Sequence, residues 1–336
     1  MATKIVFLGT GGDSFVIGKQ IRSSGGIILK TDDLQFHIDP GPGALVNATK
    51  NDINIRANTA VFVSSAHINH CNDVNAVVDT MTYGGLDKRG VLVSNQTVVN
   101  GTEKIKPYLT DFHRNCLERI IVLSPGQKLA IEDVEVDAIF TKNSFDKNAI
   151  GFKFYTPDIV LGYMSNTEYS KELIKEYQGC DILILNVLNP GEEKAEGSLN
   201  TYEAKKLIVK INPKLAILQH FGVRMIKADP LYEAREIQKL TGIQVLSAKD
   251  GMVVSPSSYS AKSTQKRLNL FKVKEEIVKD HINVIEKKED NVEEDINKEE
   301  TVTPDVEEPS NDVTREGIIE ENHEHKEEQT RLDLNN

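Results

Sequence analysis

The 336-residue chain contains no tryptophan and only three cysteines, Cys71, Cys116 and Cys180. They are odd in number, widely spread and form no C-x-x-C pair, which excludes a disulfide framework and fits a reducing compartment. Long apolar runs are missing too: no stretch approaches the roughly 18–20 residues of a membrane helix. Met1-Ala2-Thr3-Lys4 leads straight into a strand pattern, unlike the opening of a signal peptide. The expectation is a soluble cytoplasmic protein that contacts no membrane.

An excess of positive charge is likewise absent. Residues 284–336 carry 19 Asp and Glu against 6 Lys and Arg, a net of −13, whereas residues 1–283 stand at +2. The formal charge of −11 therefore belongs to the C-terminal end. Without a basic stripe and interleaved aromatics, nucleic-acid binding gains no support from the charge pattern. The Glu/Asn/Lys-rich end cannot bury enough apolar area to order itself, so it is expected to be a disordered solvating or protein-contacting tail. His323-Glu324-His325 within it reads as incidental.

What is present is alternation. Apolar runs at 5–8, 26–29, 35–38, 60–63, 120–123, 128–131, 134–139, 150–154 and 159–163 are separated by turn residues and read as strands. The stripe Val74, Val77, Val78 and Met81 predicts a helix over 72–82, with Asp73 near its N-cap. A second helix is expected over 201–211 with Thr201 as N-cap, its Lys205, Lys206 and Lys210 (with Lys214 beyond it) forming a solvated face. A third is expected over 229–242, with Pro230 at its first position and Gly242 past its end. Hairpins with helices between them predict two packed sheets and outer helix layers rather than a uniform βαβ ladder. The domain is expected over 1–255, a linker with a charged helical stretch over 256–283, and the acidic tail over 284–336.

Chemistry concentrates in Ser64-Ser65-Ala66-His67-Ile68-Asn69-His70-Cys71-Asn72-Asp73. This resembles S-H-x-H-x-D-H, the metal-binding turn of the metallo-β-lactamase-fold hydrolases. Ser64, His67 and His70 keep the Ser and the second and last His; Ser65 and Asn69 replace the first His and the Asp. Four further signatures carry the resemblance. Phe7-Leu8-Gly9-Thr10-Gly11-Gly12 is similar to the family's strand and glycine turn, and it lacks the spacing of a dinucleotide loop. Asp39, in His37-Ile38-Asp39-Pro40-Gly41-Pro42-Gly43, resembles the Asp that orients a ligand histidine. Tyr163-Met164-Ser165-Asn166-Thr167-Glu168-Tyr169 resembles Y-x-S-D-T-E-Y with Asn166 replacing the bridging Asp. Gln219-His220-Phe221-Gly222 is similar to the closing strand and its His. Asn143 and Ser198 stand where relatives place histidines.

The resemblance spans about residues 3–254 and is nearest to an archaeal-type branch akin to phosphodiesterase and tRNA-processing members. It implies a four-layer αββα sandwich of α/β class. It also implies a first metal held by Ser65, His67, Asn143 and Asn166, and a second by Asn69, His70, Asn166 and His220. Asparagine oxygen is a poor zinc donor, and two zinc ions without an anionic ligand would leave buried charge uncompensated. The expectation is a pseudo-hydrolase that needs no cofactor and binds an unidentified small molecule, phosphodiester or nucleotide in type, or a protein. One alternative is a phosphodiesterase- or ribonuclease-like hydrolase with one weakly bound zinc or manganese on His70 and His220, aided by His67 or Asp73. A metal-independent version would use a histidine as general base, with Glu168 as its partner. Another alternative is a regulatory subunit of an active paralogue; pairing with a second copy fits the same sequence. Cys71 is read as packing, and His113 is placed near the cleft.

Overall fold

Strand periodicity decides the architecture. At 4–7, Ile5 and Phe7 face one side and Val6 the other; at 60–63, Ala60 and Phe62 oppose Val61 and Val63. A strand that is apolar on both faces must be covered on both. The computed structural model describes residues 3–256. The chain divides into units 1–281 and 282–336, and every described residue lies in the first. The expected linker beyond residue 256, the acidic tail and His323-Glu324-His325 lie outside the described residues.

Among the described residues the strands are β1 Lys4–Phe7, β2 Ile27–Thr31, β3 Leu34–Ile38, β4 Ala60–Val63, β5 Val91–Ser94, β6 Arg119–Val122, β7 Lys128–Ile131 and β8 Val134–Phe140. They continue with β9 Ile150–Tyr155, β10 Val160–Met164, β11 Ile182–Asn189, β12 Leu199–Asn200, β13 Leu215–Gln219, β14 Gln244–Ser247 and β15 Val253–Val254. One sheet runs β15-β1-β2-β3-β4-β5-β6 and the other β14-β13-β11-β10-β9-β8-β7, with β12 beside β11. From β15 to β3 the first sheet is antiparallel, and from β3 to β6 it is parallel. The second repeats this division, antiparallel from β7 to β10 and parallel from β10 to β14.

Between the sheets, the Phe62 ring meets Phe36, Phe152 and Phe154 edge-on at 5.5, 5.3 and 5.0 Å. On the outer face of the first sheet, Val61, Val63 and Leu92 pack with Val74, Val77 and Met81 of a helix. Outside the second, Leu183, Leu185 and Leu218 pack with Leu207, Ile208 and Ile237. The layers are helix, sheet, sheet, helix: the αββα sandwich that the resemblance implies. Among the described residues no helix is long and apolar enough to cross a membrane.

This topology sends the C-terminal ends of β1, β3, β4, β8, β10, β11 and β13 to one edge of the sandwich. Loops at such an edge are where α/β sheets bind ligands.

Two helix starts differ from expectation. The helix Thr201–Ile211 is capped by Asn200, which forms a capping box with Glu203. Thr201 is its first residue and gives its hydroxyl to Glu233. The helix expected from 72 begins at Val74, and Asp73 at its N-cap makes no side-chain bond to it. Asp73 Oδ2 instead accepts from Gly43 N and Ala44 N, at 2.9 and 2.8 Å, at the start of the helix Ala44–Lys50. Two adjacent orphan amides satisfy a carboxylate better than one. Pro230 and Gly242 sit as expected at the ends of the helix Pro230–Thr241.

Asp73→Ala should lower the unfolding free energy by about 1–2 kcal/mol, since it strips a helix start of its cap; an unchanged urea midpoint would refute this cap. A second prediction concerns His37 on β3, fully buried with Nε2–H donating to Gly25 O at 2.8 Å. Burial pushes its imidazole down to about 4. The unfolded chain therefore takes up the proton first, and stability present above pH 6.5 is lost as pH falls toward 4. By pH 4.5 the loss from this residue should reach roughly 2–3 kcal/mol. His37→Gln should flatten the denaturation-versus-pH curve by that amount; parallel curves for both proteins would sink the assignment.

Candidate functional site

The site is built around Asp39. β3 delivers it in a left-handed conformation, φ 52°, which costs a non-glycine residue about 1–2 kcal/mol. Its carboxylate is 3% exposed and accepts from Ser64 N and Oγ, both at 2.7 Å, His70 Nδ1 at 2.8 Å and Tyr163 OH at 2.5 Å. Burial beside Asp39 holds the Tyr163 phenol well above its ordinary range, so it remains a donor.

His220 follows β13, also left-handed at φ 63°. Its ring stacks on His70, with centroids 5.0 Å apart and planes 9° from parallel. His70 Nδ1 faces Asp39 and its Nε2 points the other way; that atom and both His220 ring nitrogens are buried without a partner. They adjoin a cavity of about 20 Å³ lined also by Tyr163, Gln219 and Asn69. That is space for about one water-sized species. The glycine turn closes over it: Gly12 N donates to Phe221 O, and a Cβ on Gly12 would lie 2.1 Å from His220 O. Gly41 is equally obligatory, its would-be Cβ 2.0 Å from Asn69 O.

The asparagines are engaged with protein atoms. Asn186 Nδ2 donates to Asn166 Oδ1 at 2.9 Å, and Gln219 Nε2 donates to Asn186 Oδ1 at 2.8 Å. Asn143 Nδ2 donates to Asn166 O, while its Oδ1 accepts from Phe145 N and Asp146 N. Asn69 Nδ2 donates to Gly12 O at 2.9 Å. Ser65 Oγ accepts from His67 N. His67 caps the helix Ile68–Cys71, its Nδ1 accepting from Asn69 N at 3.3 Å. Above these groups opens a cleft of about 460 Å³ lined by His67, Asn69, Phe145, Asn166, Glu196 and Ser198.

Burial and the neighbouring His70 push His67 down to about 4, and burial with both other imidazoles pushes His220 well down. Both rings are therefore neutral near pH 7. Neutral imidazoles can bind a metal, but the rest of the donor set does not fit two ions. A two-metal centre places ions about 3.5–4 Å apart and needs anionic oxygen to offset them. Here the Asp39 carboxylate is saturated by four donors, and the small cavity has room for one species. Among the described residues no three His, Cys, Asp or Glu group as a metal-holding set.

Several expectations land elsewhere. Glu168 partners no histidine; it pairs with Lys142 Nζ at 2.9 Å and Gly197 N at 3.3 Å, and those donors lower its carboxyl. His113 lies in the outer helical layer on Asp111–Cys116, bound to Thr110 and 3.5 Å from Asp79, away from the cleft lining. Asp73 is committed to the helix cap described above and takes no place in the cavity. Cys71 donates to His67 O, and burial pushes its thiol up, so packing is its role. Lys205 and Lys206 lie over the Tyr202 ring, and Lys214 pairs with Asp181.

Sequence reasoning missed Asp146. It is 1% exposed and accepts from Ala66 N, Asn95 Nδ2, Thr97 Oγ1 and Asn148 N at 2.7–3.0 Å. It ties the histidine turn to the loop after β8. Asp250 does the same for the glycine turn through Thr10 and Ser23. Neither sits in a local motif that would mark it.

Comparison with known proteins agrees with this geometry. The sequence pattern described as "Beta-lactamase superfamily domain" matches residues 35–221. The uncharacterized protein MJ1374 of Methanocaldococcus jannaschii is 35% identical over 256 residues, covering 76% of this chain and 95% of that protein. Two solved structures share the fold. One is the metallo-beta-lactamase fold protein YhfI of Bacillus subtilis, with TM-score 0.62 and 15% identity over 76% of this chain and 99% of that one. The other is human tRNase Z, short form, with TM-score 0.55 and 16% identity over 75% and 98%. The extent of the family match and the identity to the M. jannaschii protein show that this chain belongs to the beta-lactamase superfamily.

Proposed function

We propose that this chain is a pseudo-hydrolase: a superfamily member that has given up two-metal hydrolysis and keeps its cleft for binding. The observation that carries this reading is the run of amides at the sheet edge. Asn166 Oδ1, at the position of the bridging carboxylate, accepts from Asn186 Nδ2, and Asn143 bonds backbone groups through both its oxygen and its Nδ2. Exchanging Asp for Asn preserves size and hydrogen bonding while removing charge, so the edge packs as a self-satisfied polar network. Nothing in that arrangement lowers the pKa of a water or polarises a scissile bond in the manner of a metal.

A second reading has its own support in the buried, unpartnered nitrogens of His70 and His220. Two imidazoles beside a one-species cavity could hold a single ion weakly, with His67 at the cleft above.

Metal content by inductively coupled plasma mass spectrometry separates the two. After loading with zinc and manganese, the expected stoichiometry is far below one ion per chain. Two ions per chain would refute the proposal outright. One ion that disappears in both His70→Ala and His220→Ala would replace it with the single-ion reading.

A further inference from the structure

Phe145 stands at the lip of the cleft with 55% of its surface exposed. Its backbone is fastened on both sides. Asn143 Oδ1 accepts from Phe145 N and Asp146 N, both at 3.0 Å. Asp146, the next residue, is buried and accepts from Ala66 N, Asn95 Nδ2 and Thr97 Oγ1. Asn143 thus pins a turn that presents a phenyl ring to solvent. The ring lies 5.5 Å from that of His67, with the two planes 77° apart. A contact residue held in place beforehand spares a ligand the entropy of ordering it. Phe145 and Ser144 also line a second cavity, of about 490 Å³, so open space borders the ring beyond the cleft itself.

The polar groups of the lining are mixed in kind. Ser14, Ser144 and Ser198 bring hydroxyls, which donate or accept as a ligand requires. Asn69 and Asn143 each use one amide hydrogen, on Gly12 O and Asn166 O, and keep a second. Glu196 adds an exposed carboxylate, which only accepts and can take two adjacent hydroxyls at once. Lysine and arginine are missing from the lining. Lys142 and Lys194 lie in an adjoining cavity of about 350 Å³, where Lys142 is bound to Glu168 at 2.9 Å.

A lining of this sort suits a ligand whose own polar groups are equally reversible. Each hydroxyl of a sugar both donates and accepts, so it meets a serine, an amide or a carboxylate without a set order of partners. A sugar ring also carries C–H groups, whose slight positive charge is drawn to the negative face of an aromatic ring.

We infer that the cleft binds a sugar, its hydroxyls on the serines, the amides and Glu196, and a C–H face against Phe145. The inference rests on the reading above, in which the chain keeps its cleft for binding without two-metal hydrolysis. A cleft of about 460 Å³ lies within the range of small-molecule sites.

The absence of tryptophan from the chain makes a direct test possible. Phe145→Trp places a single indole at the lip, keeps a stacking face and reports on occupancy. The full chain with this substitution is titrated with glucose, galactose, mannose, xylose, ribose and N-acetylglucosamine and, separately, with inorganic phosphate. Zinc is measured on the same samples. At least one sugar should shift the indole emission saturably, and phosphate should leave it unchanged. Saturation-transfer NMR then gives the affinity of the unsubstituted protein for that sugar. Phe145→Ala should weaken it about fivefold or more by removing the apolar face. Glu196→Gln should weaken it by a similar factor, because a charged acceptor becomes neutral. Both side chains are exposed, so neither change disturbs the core. No saturable response to any of the sugars, a response to phosphate alone, or undiminished affinity in either variant would overturn the inference. Two zinc ions per chain with sugar binding intact would sink the metal-free reading alone; zinc-free protein that ignores every sugar would sink this inference alone.

Discussion

One carboxylate organises the ligand edge of this protein. Asp39 is buried with four donors drawn from both sheets: Ser64 after β4, His70 beyond it, and Tyr163 on β10 across the sandwich. Charge-assisted bonds of this kind are about twice as strong as neutral ones. Removing the acceptor would leave Ser64 N, His70 Nδ1 and Tyr163 OH unsatisfied in the interior, each costing about 1–3 kcal/mol. The left-handed backbone at Asp39 persists because those contacts hold it there. Beyond Tyr163 lies Asn186, whose Nδ2 is 3.5 Å from the phenol oxygen and donates to Asn166 Oδ1 at 2.9 Å.

Turns elsewhere at this edge follow the same logic on a smaller scale. Asp13, Asp146 and Asp250 each bind backbone amides of two different segments and so fasten loops at this edge. These three acidic side chains thus serve as clamps on backbone N–H groups. Histidines and amides share the cavity linings with Asp39 and Glu196.

The fold was legible because two-residue alternation survives without tertiary information: Ile5/Phe7 against Val6 and Ala60/Phe62 against Val61 announce doubly covered strands. Helix bodies at 201–211 and 230–241 were equally plain. Caps were not, because the choice between Asn200 and Thr201, or the departure of Asp73 to Gly43, depends on which orphan amides lie nearby in space. His67, His70, His220, Asn69, Asn143 and Asn166 gather at one edge because their order along the chain follows the order of the strand ends. Asp146 and the Lys142–Glu168 pair were hidden because no spacing along the chain encodes which loops meet across the sandwich.

Strand β1 has one partner close in sequence and one remote: Ile5 sits opposite Leu29 and opposite Val254. The clamp on the glycine turn is as distant, Thr10 to Asp250 across 240 residues. At ribosomal speeds of about 5–20 residues per second, roughly 12–50 s separate the synthesis of these two residues. During that interval the nascent chain can assemble most of both sheets, with the glycine turn bonded to Phe221 and Ser23 and not yet to Asp250. The glycine turn thus gains its last clamp only when residue 250 is made, and a chain ending just short of it would keep the bonds to Phe221 while lacking those of Asp250 to Thr10 and Ser23.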